Sequence, residues 1–221
     1  MIGGGERMGG RHDARSAAAS ARVGGAFAVA ALVVLGMLVT SCASKPSHFY
    51  TLESVATAGD GAPASYAVLV GPVTIPGSVD RPEMVVQVAP NQVELLEFDR
   101  WAAPLADSIA RAVAGDLTKL LGTPRVATGP LGNFTPDYRV TLDVQRFDAI
   151  PGEGVQLDTV WVVKPIAGGS PRSGRTTSHE PARGAGYEAL AGAYSRALAL
   201  LSEDVATAIR AEAAAPLSVR K

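Results

Sequence analysis

Apolar and polar positions along this chain fall into separate patterns, each with its own element. Residues 66–75 are almost unbroken in their apolar character, which predicts a strand buried on both faces, with Pro72 ending its regular pairing. Residues 84–88 and 93–97 flank Ala89-Pro90-Asn91-Gln92, where Pro and Asn suit a tight turn, so a hairpin is expected. A helix follows from near Ala103, with Pro104 tolerated in its first turn and Leu105, Ile109, Val113, Leu117 and Leu120 on one face. Asp107 and Arg111 lie four apart on the other face, and Gly122 and Pro124 stop the helix. Asp116 falls inside the apolar arc; a flank position reaching water is the expectation. Residues 138–145 alternate strictly, as a half-buried strand does, until the phase slips at Arg146-Phe147. After a turn at 151–154, residues 155–165 return with Leu157, Thr159, Trp161 and Val163 on one face, and 175–180 make a more polar edge strand. Tyr187, Leu190, Ala191, Tyr194, Leu198, Leu201, Val205 and Ile209 then trace a long helix. These stripes predict an α+β fold in two layers, a mostly antiparallel or mixed sheet with two helices packed on one face.

One apolar run, residues 24–39, belongs to none of these elements. It is preceded by Arg7, Arg11, Arg15 and Arg22 and followed by Thr40-Ser41-Cys42, the layout of a secretory signal. A branched apolar residue, two small residues and a cysteine in succession resemble the bacterial lipobox. The resemblance implies that Cys42 carries covalent diacylglycerol and an N-acyl chain and becomes the first mature residue. A membrane-spanning helix is the rival reading, but the run falls short of the ~20 residues a bilayer core needs and contains Gly24, Gly25 and Gly36. The expected organisation is a signal peptide over 1–41, a lipidated tether over 42–65, a single domain over 66–214 and a tail over 215–221. Residues 43–65 are rich in Ala, Gly, Ser and Pro, and fully extended they would reach on the order of 70–80 Å. Within them His48-Phe49-Tyr50-Thr51-Leu52 concentrates aromatics, as either a short edge strand or an arm that docks on a partner.

Composition removes whole classes of function. The formal net charge is −1, and cleavage before Cys42 discards four Arg against Glu6 and Asp13, leaving a mildly acidic body. Without clustered Lys or Arg there is no phosphate-neutralising face, so no nucleic-acid partner is expected. Cys42 is the only cysteine, and His48 and His179 are the only histidines of the mature chain, so no metal site is expected. No nucleophile elbow or phosphate loop occurs, and Glu94, Glu97 and Asp99 read as the solvated face of a hairpin. No catalytic residues and no cofactor beyond the acyl groups are expected; the chain reads as a non-enzyme.

Several runs together point to a family. Phe49-Tyr50-Thr51-Leu52, Val70-Gly71-Pro72-Val73-Thr74-Ile75-Pro76, Asp80-Arg81-Pro82 and the stretch 91–102 through Asp99-Arg100-Trp101 resemble the PqiC/YmbA-type lipoproteins, auxiliary subunits of ABC-type and MCE transport systems. The likeness continues through 138–147 and 187–201; a Gly/Pro/Ser loop at 168–174 departs from it. The resemblance implies a non-enzymatic partner of an MCE-domain periplasmic protein that moves lipid between the membranes of a Gram-negative envelope. Its place would be the periplasmic face of the outer membrane, to which Ala43, rather than Asp after Cys42, also points. Arg81, Arg100 and Trp101, with Phe49 and Tyr50, are the candidate partner-binding residues, since Trp and Arg so often dominate interfaces. Their structural alternatives are that Asp99 caps the helix or pairs with Arg100 and that Trp101 covers the end of the core. Two other functions stay open: an outer-membrane regulator of a periplasmic cell-wall enzyme, and a carrier that itself encloses an acyl chain. Oligomeric state is open too, a homo-oligomer included.

Overall fold

The computed structural model describes residues 45–59, 61–129, 132 and 134–214, and among these described residues turn residues, helix stops and alternation convert into eight strands and two helices. In chain order they are β1 (His48–Tyr50), β2 (Val68–Thr74), β3 (Glu83–Ala89), β4 (Gln92–Trp101), α1 (Leu105–Leu121), β5 (Val126–Ala127), β6 (Tyr138–Ile150), β7 (Gly154–Pro165), β8 (Arg172–Pro181) and α2 (Tyr187–Ala214). The α+β class follows the pattern, but the strands divide between two sheets. Five strands run in the order β5-β2-β6-β7-β8, and three in the order β1-β4-β3. β6, β7 and β8 pair antiparallel, whereas β2 lies parallel to both β5 and β6.

Local sequence explains where these elements bend. The phase slip at Arg146-Phe147 is a register shift between Val144 and Arg146. It keeps both Val144 and Phe147 in the core. Pro72 was expected to end β2, but the parallel ladder to β6 only breaks between Val70 and Val73 and then resumes. Proline lacks one donor, and a partner strand that continues past it can pick the ladder up again. Helix α1 covers β2 and β5, and α2 covers β7 and β8. Gly122 ends α1 in the left-handed conformation at φ 65°, a geometry glycine adopts without a Cβ penalty. At the meeting point of the sheets and α2, Phe147 stacks on Tyr194 with ring centroids 3.7 Å apart, and Trp101 meets both edge-on.

The chief departure from expectation is the segment read as a tether. Residues 46–59 and 61–65 do not hang free: β1 pairs with β4, Leu52 and Ala56 are buried, and Ala64 N donates to Leu121 O at 2.9 Å. Beyond β1 the chain forms a strap across α1 and α2. Its fastening is Asp116, expected to reach water but fully buried. Asp116 Oδ1 accepts from Ser54 Oγ and from Ala56 N, both at 2.9 Å, and Oδ2 lies 3.3 Å from Ser202 Oγ on α2. Lys119 Nζ adds a bond to Ser54 O at 2.6 Å, and Ser195 Oγ accepts from Glu53 N at 3.0 Å. Gly115 lets the strap come this close, because a Cβ there would sit 2.7 Å from that of Ser54. An Ala, Gly and Ser-rich composition hid this order, since small residues supply little apolar area and the strap is held instead by its backbone.

Three stability outcomes follow. Leu201→Ala, at a fully buried position on α2, is expected to cost about 2–5 kcal/mol in urea melts, while the exposed Glu203→Ala stays within about 0.5 kcal/mol. Deleting residues 56–64, harmless to a free tether, should lower the melting temperature, because it removes buried Ala56 and the Ala64 to Leu121 bond. Burial raises the Asp116 carboxyl above its ordinary 3.8, against the pull of the Ala56, Ser54 and Ser202 bonds and the Lys119 charge. A raised folded-state value means the favourable proton linkage is complete below about pH 3.8 and is lost as pH rises through that folded value. Asp116→Asn keeps an acceptor for Ser54 and Ala56, so melts across pH should show that component flattened and stability at pH 7 no lower than wild type. Asp116→Ala leaves the Ala56 N–H buried without its acceptor and should cost about 1–3 kcal/mol.

Candidate docking site

The residues singled out from the sequence converge on the small sheet and its border with the helices. Parallel pairing of β1 with β4 sets His48 beside Asp99, Phe49 beside Arg100 and Tyr50 beside Trp101. Asp99 is buried and does not cap α1, nor does it pair with Arg100. Its Oδ1 accepts from the Tyr50 hydroxyl at 2.8 Å and lies 3.1 Å from His48 Nδ1. Burial first, and the Asp99 carboxylate second, push the Tyr50 phenol up to about 12, so it serves as a neutral donor. Helix α1 starts at Pro104 without a side-chain cap among the described residues. Arg100 pairs with Glu83 across the hairpin, Nη2 to Oε1 at 2.7 Å.

Trp101 does cover the end of the core: only 6% of it is exposed, and its backbone N donates to Pro82 O at 2.7 Å. A residue spent in this way offers a partner little side-chain surface, which corrects its place among the candidates for direct docking. Tyr50 is half-buried and occupied by Asp99, whereas Phe49 is 64% exposed. Arg81 borders a groove of about 380 Å³ beside Trp101, Pro104 and Leu105, and its Nε is buried without a partner among the described residues. Cys42 lies outside the described residues.

A larger groove, about 710 Å³, runs between the strap and α2. Ala191 and Gly192 keep its floor low, Phe49 and Val55 form an apolar wall, and Glu53 and Glu188 add negative charge. Arg196 at its end is already held by Glu180 Oε2 at 2.9 Å. Such a trough suits a segment that presents apolar side chains flanked by Lys or Arg. Sequence reasoning missed Glu53, Val55 and Glu188, because only the fastening of the strap brings them to the α2 face. The available signal was Asp116, a carboxylate in an apolar stripe that implied a polar segment crossing it. Among the described residues no three His, Cys, Asp or Glu are grouped to hold a metal, and no helix is long and apolar enough to cross a membrane.

Comparison with known proteins agrees with this architecture. Two solved structures share the fold. One is an uncharacterised protein at 20% identity and TM-score 0.61, covering 75% of this chain and 99% of its own. The other is a Xanthomonas campestris protein of the DUF330 family at 19% identity and TM-score 0.63, covering 76% and 98%. No curated protein matches the sequence. The family described as the ABC-type transport auxiliary lipoprotein component matches residues 50–206, from the last residue of β1 into the final third of α2. The chain belongs to this family of auxiliary lipoproteins of ABC-type transport systems.

Proposed function

We propose that the chain is an outer-membrane lipoprotein, acylated on Cys42, that acts without catalysis as a docking subunit of a lipid transport system on the periplasmic face. Its partner in this reading is an MCE-domain protein. The observation that carries the proposal is the family match across residues 50–206, since an auxiliary component of a transporter works by contact with that transporter. The groove between strap and α2 supports it with a surface of suitable chemistry. Apolar Phe49 and Val55 beside acidic Glu53 and Glu188 favour a partner segment of apolar residues flanked by basic ones. With Arg196 paired to Glu180, the acidic excess around the trough also speeds encounter with a basic segment and disfavours acidic competitors.

The test uses the full chain in a Gram-negative host whose own copy is deleted, with a photo-crosslinking amino acid at Val55, which is exposed in the groove. The expected outcome is a crosslink to an MCE-domain protein, weakened at high salt and by Glu53→Lys with Glu188→Lys. Cys42→Ala should leave the outer-membrane fraction and lose the crosslink with it. Recovery of a penicillin-binding protein at Val55 instead would point to cell-wall regulation and overturn the proposal.

A further inference from the structure

The small sheet carries a second exposed apolar feature, away from the groove. Val88, Val93 and Leu95, at the tip half of the β3–β4 hairpin, are 47%, 56% and 44% exposed. We propose that this hairpin tip rests in the headgroup layer of the bilayer that holds the acyl chains of Cys42, giving the domain a second membrane attachment. The inference rests on the acylation reading above, and the closing experiment separates the two.

Chain length and strand direction choose the occupant. Only five residues separate Cys42 from His48, so the Cys42 Cα lies no more than about 22 Å from β1 whatever the path between them. Slack cannot come from the other side, because the strap after β1 is fastened by Asp116, Ser195 and Lys119. β1 runs parallel to β4 with His48 opposite Asp99, so the chain comes into β1 from the hairpin side of the pair. From Asp99 back to Val93 along β4 is six residues, about 20 Å. The hairpin tip therefore lies on the side from which the chain enters β1, at a distance from it similar to the reach that the chain length allows Cys42.

The chemistry fits a bilayer interface more than a charged lipid surface. Between Glu83 and Asp99 there is no Lys or Arg, while Glu94 and Glu97 are exposed. The hairpin itself offers anionic headgroups no attraction, and its insertion depends on Val and Leu leaving water. Raising the anionic lipid fraction should therefore weaken the contact, and salt should restore it.

The single cysteine makes the test direct. The full chain carrying Val93→Cys is purified from membranes with its anchor and reconstituted into vesicles of phosphatidylethanolamine with one-fifth phosphatidylglycerol. A thiol-reactive, environment-sensitive fluorophore should then label position 93 alone, because an acylated Cys42 does not react. Lipids bearing a nitroxide near the headgroup should quench it about three-fold more strongly than the same label at Ser173→Cys, an exposed site on β8. Leu95→Cys repeats the measurement at a second site. Equal quenching at 93, 95 and 173, with no labelling of the unsubstituted chain, overturns the proposal while acylation stands. Labelling of the unsubstituted chain overturns both together. A spectral change at 93 that follows protein concentration in lipid-free detergent assigns the tip to a second copy, and it too overturns the proposal.

Discussion

A carboxylate withdrawn completely from water needs every bond it can find, and Asp116, on α1, finds three of them on two other pieces of chain. Its own helix brings the charge, the strap brings a hydroxyl and a backbone amide, and α2 brings Ser202. Burial works against the ionised form, which raises its proton affinity, while each donor works for it. The outcome is directional, since only one path of the strap satisfies the amide of Ala56 and the hydroxyl of Ser54 together. An apolar residue in the same place would seal α1 against α2 just as well without saying where the N-terminal segment must run.

That path determines the rest of the N-terminal architecture. Once Ser54 and Ala56 are fastened over α1, Tyr50 falls beside Trp101 and β1 closes the edge of β4. Asp99 is thereby covered, and Phe49 is turned outward to the groove. The groove exists because one wall is strap and the other is α2. Family membership and site geometry meet here, for the matched region begins at Tyr50, where this construction starts.

Periodic residues carried most of the fold into view. The alternation of 138–145, the stripe from Tyr187 to Ile209 and the Pro90-Asn91 turn each act within a few residues, so a linear reading finds them. What escaped was set by contacts distant in sequence. Pairing of β2 with β6 spans some seventy residues, and nothing in Val68 to Val70 states which strand will lie alongside. Asp99 was assigned to α1 or Arg100 by proximity, yet its partner Tyr50 lies 49 residues away. Asp116 was the one misfit visible in the pattern. A polar residue on a buried arc signals a buried acceptor as readily as a flank in water, and reading it so would have drawn the strap onto the domain. Of the candidate docking residues, Phe49 was legible as a candidate because it belongs to a cluster of aromatics in otherwise bland sequence; Trp101 was drawn into the core by Phe147 and Tyr194, both far along the chain.

The parallel setting of β1 against β4 has a mechanical meaning for a chain pulled from its N-terminal side. Tension arriving from the hairpin side runs along the strand axis, so the bonds of this short ladder are strained together in shear and do not peel one by one. Behind them the Asp116 fastening stands next in line, and releasing it would free residues 51–65, on the order of 50 Å of extended chain. The two helices bear the load only through that fastening, and the sheet of five strands is not pulled directly until that length is used. The strap thus acts as a mechanical fuse, yielding ahead of the folded body it crosses.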